Sequence, residues 1–284
     1  IGVNYLDTYF RSGLYPSALP MIPGSEGSGE VTAVGPGVEG FKVGDRVAYV
    51  TTPGSYAEAR NVDVKHLVHL PDSVSHEQAA AMLLKGFTAQ YLLRQTYRVQ
   101  PGDAILVHAA AGGVGQILCQ WGKHLGATVI ATVGSPAKAE IARACGADHV
   151  FGYEDFVAKV AEVTGGAKCA VVYDGVGKAT FPASLDALRP FGVFASFGSA
   201  SGPVEAFSLA ILGQKGSLFA TRPTLFTFLA DRARLDAMAK DLFEVVASGV
   251  VKVDISERAP LAEAARVHRD LEGRRTTGSI VLVP

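Results

Sequence analysis

The sequence predicts an α/β fold: a doubly wound parallel sheet that lies, along the chain, between two stretches of a β-rich domain. Three observations predict it. Residues 1–85 carry short β-branched runs separated by glycine-rich turns, strands and helices then alternate, and the final strand candidate at 279–283 has no helix after it. Strand–helix alternation builds a parallel sheet covered on both faces, and a last strand without a helix is expected to pair back into the first domain.

The elements follow in order. The opening Ile1-Gly2-Val3-Asn4 reads as the end of a strand, with the earlier strands of its domain expected upstream. Segments 31–35 (VTAVG) and 46–50 (RVAYV) are strand candidates, set apart by the turn signals Gly35-Pro36-Gly37 and Gly44-Asp45. Ser75 and Glu77 before an alanine-rich run start a helix that continues towards Tyr97. Strands are then expected at 104–108, 128–132, 149–151, 170–174, 193–197 and 217–221, with helices at 114–125, 154–164 and 179–188 between them. Ser135 followed by Pro136 is an N-cap with proline in the first turn, and Gly146 ends that helix. Helices at 234–248 and 261–272 precede the final strand. The expected domains are 1–88 with 224–284, and 89–223.

Composition narrows the function. With 48% hydrophobic and 19% charged residues the chain has material for a sizeable core, so disorder is not expected. A net charge of −1 without a basic stripe argues against nucleic acid and for a small-molecule partner. Cys119, Cys145 and Cys169 are odd in number and form no C-x-x-C pair, which fits a reducing, cytoplasmic setting. No apolar run approaches the roughly 18 residues of a membrane helix.

The chemistry concentrates in Val107-His108-Ala109-Ala110-Ala111-Gly112-Gly113-Val114-Gly115, which follows an apolar strand and opens a helix. That is the context of a dinucleotide fingerprint. Gly112 permits the main chain to approach a pyrophosphate, Gly115 permits close helix–strand packing, and the amides at the helix start hold the phosphates. Ala110 stands where the pattern carries its first glycine. His108 reads as strand-end packing.

The cofactor is expected to be NADPH. NAD-specific sites carry a carboxylate at the end of the second strand, on the ribose 2′-hydroxyl. Here that strand ends in Val133-Gly134-Ser135, with Lys138 in the next helix and Tyr153 after the third strand. Two charge-assisted bonds to a 2′-phosphate, at about 1.5–3 kcal/mol each, amount to a preference on the order of a hundredfold or more. The competing reading of Lys138 is an ordinary surface lysine.

The strings at 4–9 (NYLDTY) and 11–16 (RSGLYP), the turn HAAAGGVG, Val172-Tyr173-Asp174, Ser196-Phe197-Gly198, 214–218 (QKGSL) and Thr221-Arg222-Pro223 resemble the quinone oxidoreductases, the zeta-crystallin-like branch of the medium-chain dehydrogenase/reductase superfamily. The matches span the whole chain. The resemblance implies a GroES-like catalytic domain made from both ends of the chain, a Rossmann NADPH-binding domain between them, and a homodimer joined at the Rossmann sheet edges. It also implies cofactor contacts at Asn4, Tyr5, Asp7, Thr8, Tyr9, Gly112, Gly113, Val114, Gly134, Ser135, Lys138 and Tyr153. Phe197, Gly198 and Ser199 are expected by the nicotinamide end, with Thr221 and Arg222 nearby; an ordinary core aromatic is the alternative for Phe197.

No metal is expected. A catalytic zinc needs about three Cys, His or carboxylate ligands. Zinc-dependent relatives carry histidine before glutamate in the region of Gly24-Ser25-Glu26; serine stands there, no cysteine precedes Cys119, and Glu26 is read as structural. Hydride transfer to an electron-poor quinone needs position and electrostatics more than an acid–base dyad. Asn4, Tyr9 and Tyr15 are the candidates to orient or donate to a quinone oxygen, Asp7 orders the loop, and Tyr15 reads equally well as a packed aromatic. The alternatives to quinone reduction are reduction of enones or enals, and a crystallin-like or RNA-binding role.

Overall fold

A computed structural model describes residues 1–51 and 53–284. The chain divides into two compact units. The first comprises residues 1–87, 228–249 and 253–284, and the second comprises 88–227 and 250–252.

The chain opens with β1 (Gly2–Val3), α1 (Tyr5–Ser12), β2 (Glu26–Glu30), β3 (Arg46–Val50), β4 (Leu67–His69) and α2 (His76–Tyr91). There follow β5 (Ala104–His108), α3 (Gly113–His124), β6 (Thr128–Thr132), α4 (Pro136–Ala144), β7 (His149–Phe151), α5 (Phe156–Val163), β8 (Cys169–Asp174), α6 (Ala183–Asp186), β9 (Leu188–Ser196), α7 (Ala210–Gln214) and β10 (Phe219–Thr221). The last part holds α8 (Leu225–Leu229), α9 (Arg232–Ala247), β11 (Ile255–Pro260), α10 (Ala264–Glu272) and β12 (Ser279–Val283).

In the second unit the six strands run in the order β10-β9-β8-β5-β6-β7, every pairing parallel. This is the doubly wound sheet expected, and its strands are apolar because both faces are covered. Leu106, Ile130, Val172, Leu185 and Phe194 form a buried core with Phe156 and Val160 of α5.

The first unit holds the sheet β11-β12-β1-β2-β3-β4. As expected, the last strand returns: β12 pairs antiparallel with β1 and parallel with β11, and Val3, Ile280, Leu282, Ala259 and Val267 form the core beneath. Segment 31–35 is not a strand. The second strand is Glu26–Glu30, in full register with β3 from Glu26↔Val50 to Glu30↔Arg46. Ladder partners, rather than β-branched content, decide which residues become strand.

Helix 179–188 shrinks to Ala183–Asp186, because Gly177 takes a positive φ of 89° and Pro182 interrupts the pattern, while β9 begins early at Leu188. Helix α1 has no counterpart in the sequence reading. It starts on a capping box: the Asn4 backbone amide donates to Asp7 Oδ2 at 2.9 Å, and Gly13 closes the helix at φ 78°.

Candidate active site

In the second unit the glycine turn joins β5 to α3, with Gly112 as N-cap. The first helical amides, those of Gly113, Val114 and Gly115, have no carbonyl one turn back to bond. Gly115 is required by packing: a Cβ there would lie 2.4 Å from the Ala109 carbonyl oxygen and 2.6 Å from Ala110 Cα. The left-handed residue of the turn is Ala109 at φ 53°, and Ala110 keeps a negative φ. Alanine at 110 therefore carries no backbone strain, which explains why the departure from glycine is tolerated there.

Beyond β6, Gly134 and Ser135 are exposed, and a Cβ on Gly134 would meet nothing within 4 Å. Ser135 caps α4, its hydroxyl accepting from the Lys138 amide at 3.4 Å, and Lys138 is half-buried in the first turn. Tyr153 comes back to the glycine turn, its hydroxyl accepting from the Ala109 amide at 3.1 Å while its ring stacks near His108. These open amides beside a lysine, with no carboxylate at the strand end, fit a dinucleotide carrying a 2′-phosphate.

His108 is buried, with Nδ1 2.6 Å from Thr132 Oγ1 and Nε2 3.0 Å from Ser184 Oγ. Burial lowers its pKa, so the ring is a neutral packing element. At the ends of β8 and β9, Phe197 and Gly198 both donate backbone amides to the Asp174 carbonyl, and the half-buried Phe197 ring lies against Gly175. Ser199 is half-buried on the same segment, and Arg222, after the exposed Thr221, donates to the Ser196 carbonyl at 2.8 Å.

The first unit assembles a buried polar cluster around Glu26, which is fully buried. Asn4 Nδ2 donates to Glu26 Oε1 at 2.7 Å, Lys85 Nζ donates to the same oxygen at 3.1 Å, and the Leu84 amide donates to Oε2 at 2.7 Å. Gly2 makes room for it, since a Cβ there would lie 2.0 Å from the Ala80 carbonyl oxygen and 2.3 Å from Glu26 Oε1.

Beside it, Asp7 accepts from the Asn4 amide, from Ser25 Oγ at 3.1 Å and from Tyr56 Oη at 3.1 Å. Burial pushes its carboxyl up to about 7 against the pull of those donors, with Glu26 adding to the rise. Because the Tyr56 hydroxyl donates to Asp7, it accepts from His268 Nε2 at 2.8 Å, which leaves Nδ1 to accept from Arg11 at 2.9 Å. Burial, aided by Arg11, lowers the His268 pKa.

Of the residues expected at the site, Asn4 and Asp7 enter this cluster through their polar groups. Thr8 is buried and donates to the Tyr5 carbonyl at 2.7 Å. The rings of half-buried Tyr5 and buried Tyr9 lie 5.5 Å apart, and Tyr15 packs 5.2 Å from Tyr9 and 5.8 Å from Phe10. Lys85, Tyr56 and His268 were invisible to sequence reasoning, which had no reason to join residues so far apart.

Glu26 does not fit as a zinc ligand, since its oxygens are engaged by two neutral donors and an ammonium. Among the described residues no three His, Cys, Asp or Glu gather as a metal-ligand group.

The glycine cradle and the flanking β-rich unit define a dinucleotide-dependent dehydrogenase class. Two family models match: "Alcohol dehydrogenase GroES-like domain" over residues 1–72 and "Zinc-binding dehydrogenase" over residues 113–233. A quinone oxidoreductase of Pseudomonas aeruginosa is 55% identical over 288 residues, covering 100% of this chain and 89% of the relative. A 2-haloacrylate reductase of a Burkholderia species is 45% identical, covering 100% of this chain and 88% of the relative. The crystal structure of Escherichia coli quinone oxidoreductase complexed with NADPH superposes with a TM-score of 0.97 at 48% identity, covering 100% of this chain and 89% of that one. This chain belongs to the quinone oxidoreductase family of the medium-chain dehydrogenase/reductases.

Proposed function

We infer that this chain is an NADPH-dependent quinone oxidoreductase. The observation that carries the cofactor is the end of β6: no carboxylate, open backbone at Gly134–Ser135, and Lys138 one turn on. When bound, NADPH supplies the hydride. The second unit serves as its binding domain: the Gly113, Val114 and Gly115 amides take the pyrophosphate, and Ser135 and Lys138 take the 2′-phosphate. The first unit serves as the catalytic domain. Asn4 is the residue we place at the acceptor oxygen, because Glu26 fixes its amide; Tyr9 and Tyr15 shape the neighbouring aromatic wall.

Initial rates of NADPH and NADH oxidation across benzoquinones, naphthoquinones and enones test the reading. A preference for NADPH and for quinones is expected; tighter binding of NADH overturns the cofactor assignment. The 45% identity to a 2-haloacrylate reductase favours activated alkenes as a second substrate class. Burial of Cys119 and Cys169 as free thiols supports a cytoplasmic setting, and no helix among the described residues is long and apolar enough to cross a membrane.

A homodimer joined at β10 is part of the same proposal. That edge strand is exposed along its length, Phe219 at 60%, and an uncovered apolar edge is a template for pairing. Light scattering is expected to give twice the chain mass.

A further inference from the structure

We propose that Lys85 is the cation that faces the oxyanion formed on the acceptor, a catalytic role carried by a side chain at a position where sequence reasoning saw nothing. The inference rests on the placement of Asn4 at the acceptor oxygen and deepens that reading.

Lys85 lies on α2 with only 7% of its side chain exposed. An ammonium is costly to bury, and one carboxylate oxygen satisfies only one of its three N–H groups. Glu26 Oε1 takes that one; no other acceptor among the described residues takes the remaining two. Asn4 Nδ2 donates to the very same oxygen, so the ammonium and the amide stand side by side on Glu26. An acceptor oxygen held at Asn4 is therefore within reach of the unspent donors of Lys85. Glu26, in turn, holds both groups in place: it is fully buried, anchored by the Leu84 amide, and given room by Gly2.

The charge balance of the reaction calls for a cation here. A quinone that takes a hydride gains a bond to hydrogen and an electron pair; one carbonyl oxygen becomes the oxyanion of the hydroquinone monoanion, while NADPH is oxidised to NADP⁺. A proton from water then completes the hydroquinone. Fixed donors aimed at such an oxygen in a water-poor site accelerate the step, by about 10²–10³-fold per donor in comparable oxyanion sites. Here that cation is an ammonium, seated on the buried carboxylate of Glu26.

Two readouts test the role. Without cofactor, the full chain is titrated with 4-nitrophenol, whose phenolate is coloured. The wild type is expected to bind it ionised at a pH below its solution value, and Lys85→Met to lose that shift. In single turnovers with a naphthoquinone, Lys85→Met is expected to slow NADPH oxidation by about a hundredfold with NADPH affinity unchanged. The loss is expected to grow across a series of poorer acceptors, which a purely structural role does not produce.

Should Lys85→Met fail to fold, Glu26→Gln/Lys85→Met, which leaves no charge unpaired, carries both measurements. Equal phenolate binding and equal single-turnover rates in wild type and variant, with Asn4→Ala impaired, overturn the role of Lys85 alone. An unimpaired Asn4→Ala overturns the placement of the acceptor and this proposal with it.

Discussion

The glycine turn of the second unit and the Glu26 cluster of the first present polar groups by opposite means. The turn is a contiguous stretch between β5 and α3, and what it offers is backbone: the amides at the start of a helix, with Gly115 removing the Cβ that would strike Ala109 and Ala110. The cluster offers side chains, drawn from α1, β2, α2 and α10 and from the loop that carries Tyr56, and each is held by another. A site made of backbone survives most side-chain changes but not the loss of a glycine. A site made of buried side chains fails when any one partner leaves, because the remainder are then left unpaired in low dielectric.

The sharpest way to break this contrast is Glu26→Ala. It strands the Lys85 ammonium, and losing one partner of a buried pair costs about 3–5 kcal/mol; urea denaturation is expected to show a loss of that size. Gly115→Ala is the matching change in the turn. It forces backbone apart and is expected to cost about 1–3 kcal/mol with a parallel loss of NADPH affinity, measured by melts and by fluorescence titration. If Gly115→Ala proves neutral, the turn is not built on close packing.

Lys138→Ala is milder: about tenfold weaker NADPH binding with NADH binding unchanged, which equal effects on both cofactors contradict.

Asp7 sharpens the comparison through pH. Its carboxyl holds a proton up to about pH 7 in the folded chain, against an ordinary value of 3.8. Between those values the folded state binds more protons than the unfolded one, so stability falls as pH rises, by up to about 1.4 kcal/mol per pH unit from this group. Glu26, Tyr56 and Ser25 face it and stay in place in Asp7→Asn. The melting temperature of that variant is expected to gain on the wild type from pH 4.5 to 7.5; a flat difference refutes the burial argument. The smallest effect is expected of Tyr15→Phe, which keeps the ring contacts with Tyr9 and Phe10 and removes only the hydroxyl, costing no more than about 1 kcal/mol in the same melts.

The two regions were also unequally legible. The parallel sheet, the caps at Ser135 and Pro136, and the turn itself could be read because each signal is local: a run of β-branched residues, an N-cap, a glycine spacing. Ala110 looked like a defect in the motif, and only the backbone angles showed that the strained position is Ala109. Strand β2 was missed because EGSGE has no β pattern of its own, and α1 because eight residues with three aromatic rings give little helical signal. Tyr56, Lys85 and His268 lack any motif.

What the sequence determined by itself was the doubly wound sheet, the glycine turn between β5 and α3, the absence of a carboxylate after β6 and the return of the last strand. Those properties are carried by residues within a turn or two of one another, as in the apolar run Ser279–Val283 that returns to pair with β1. Only the tertiary structure decided that Asn4 and Lys85 meet on one oxygen of Glu26, and that Asp7 is tied to His268 through Tyr56. Folding places these groups at hydrogen-bond distance across separations of up to 212 residues, and burial then makes each contact obligatory.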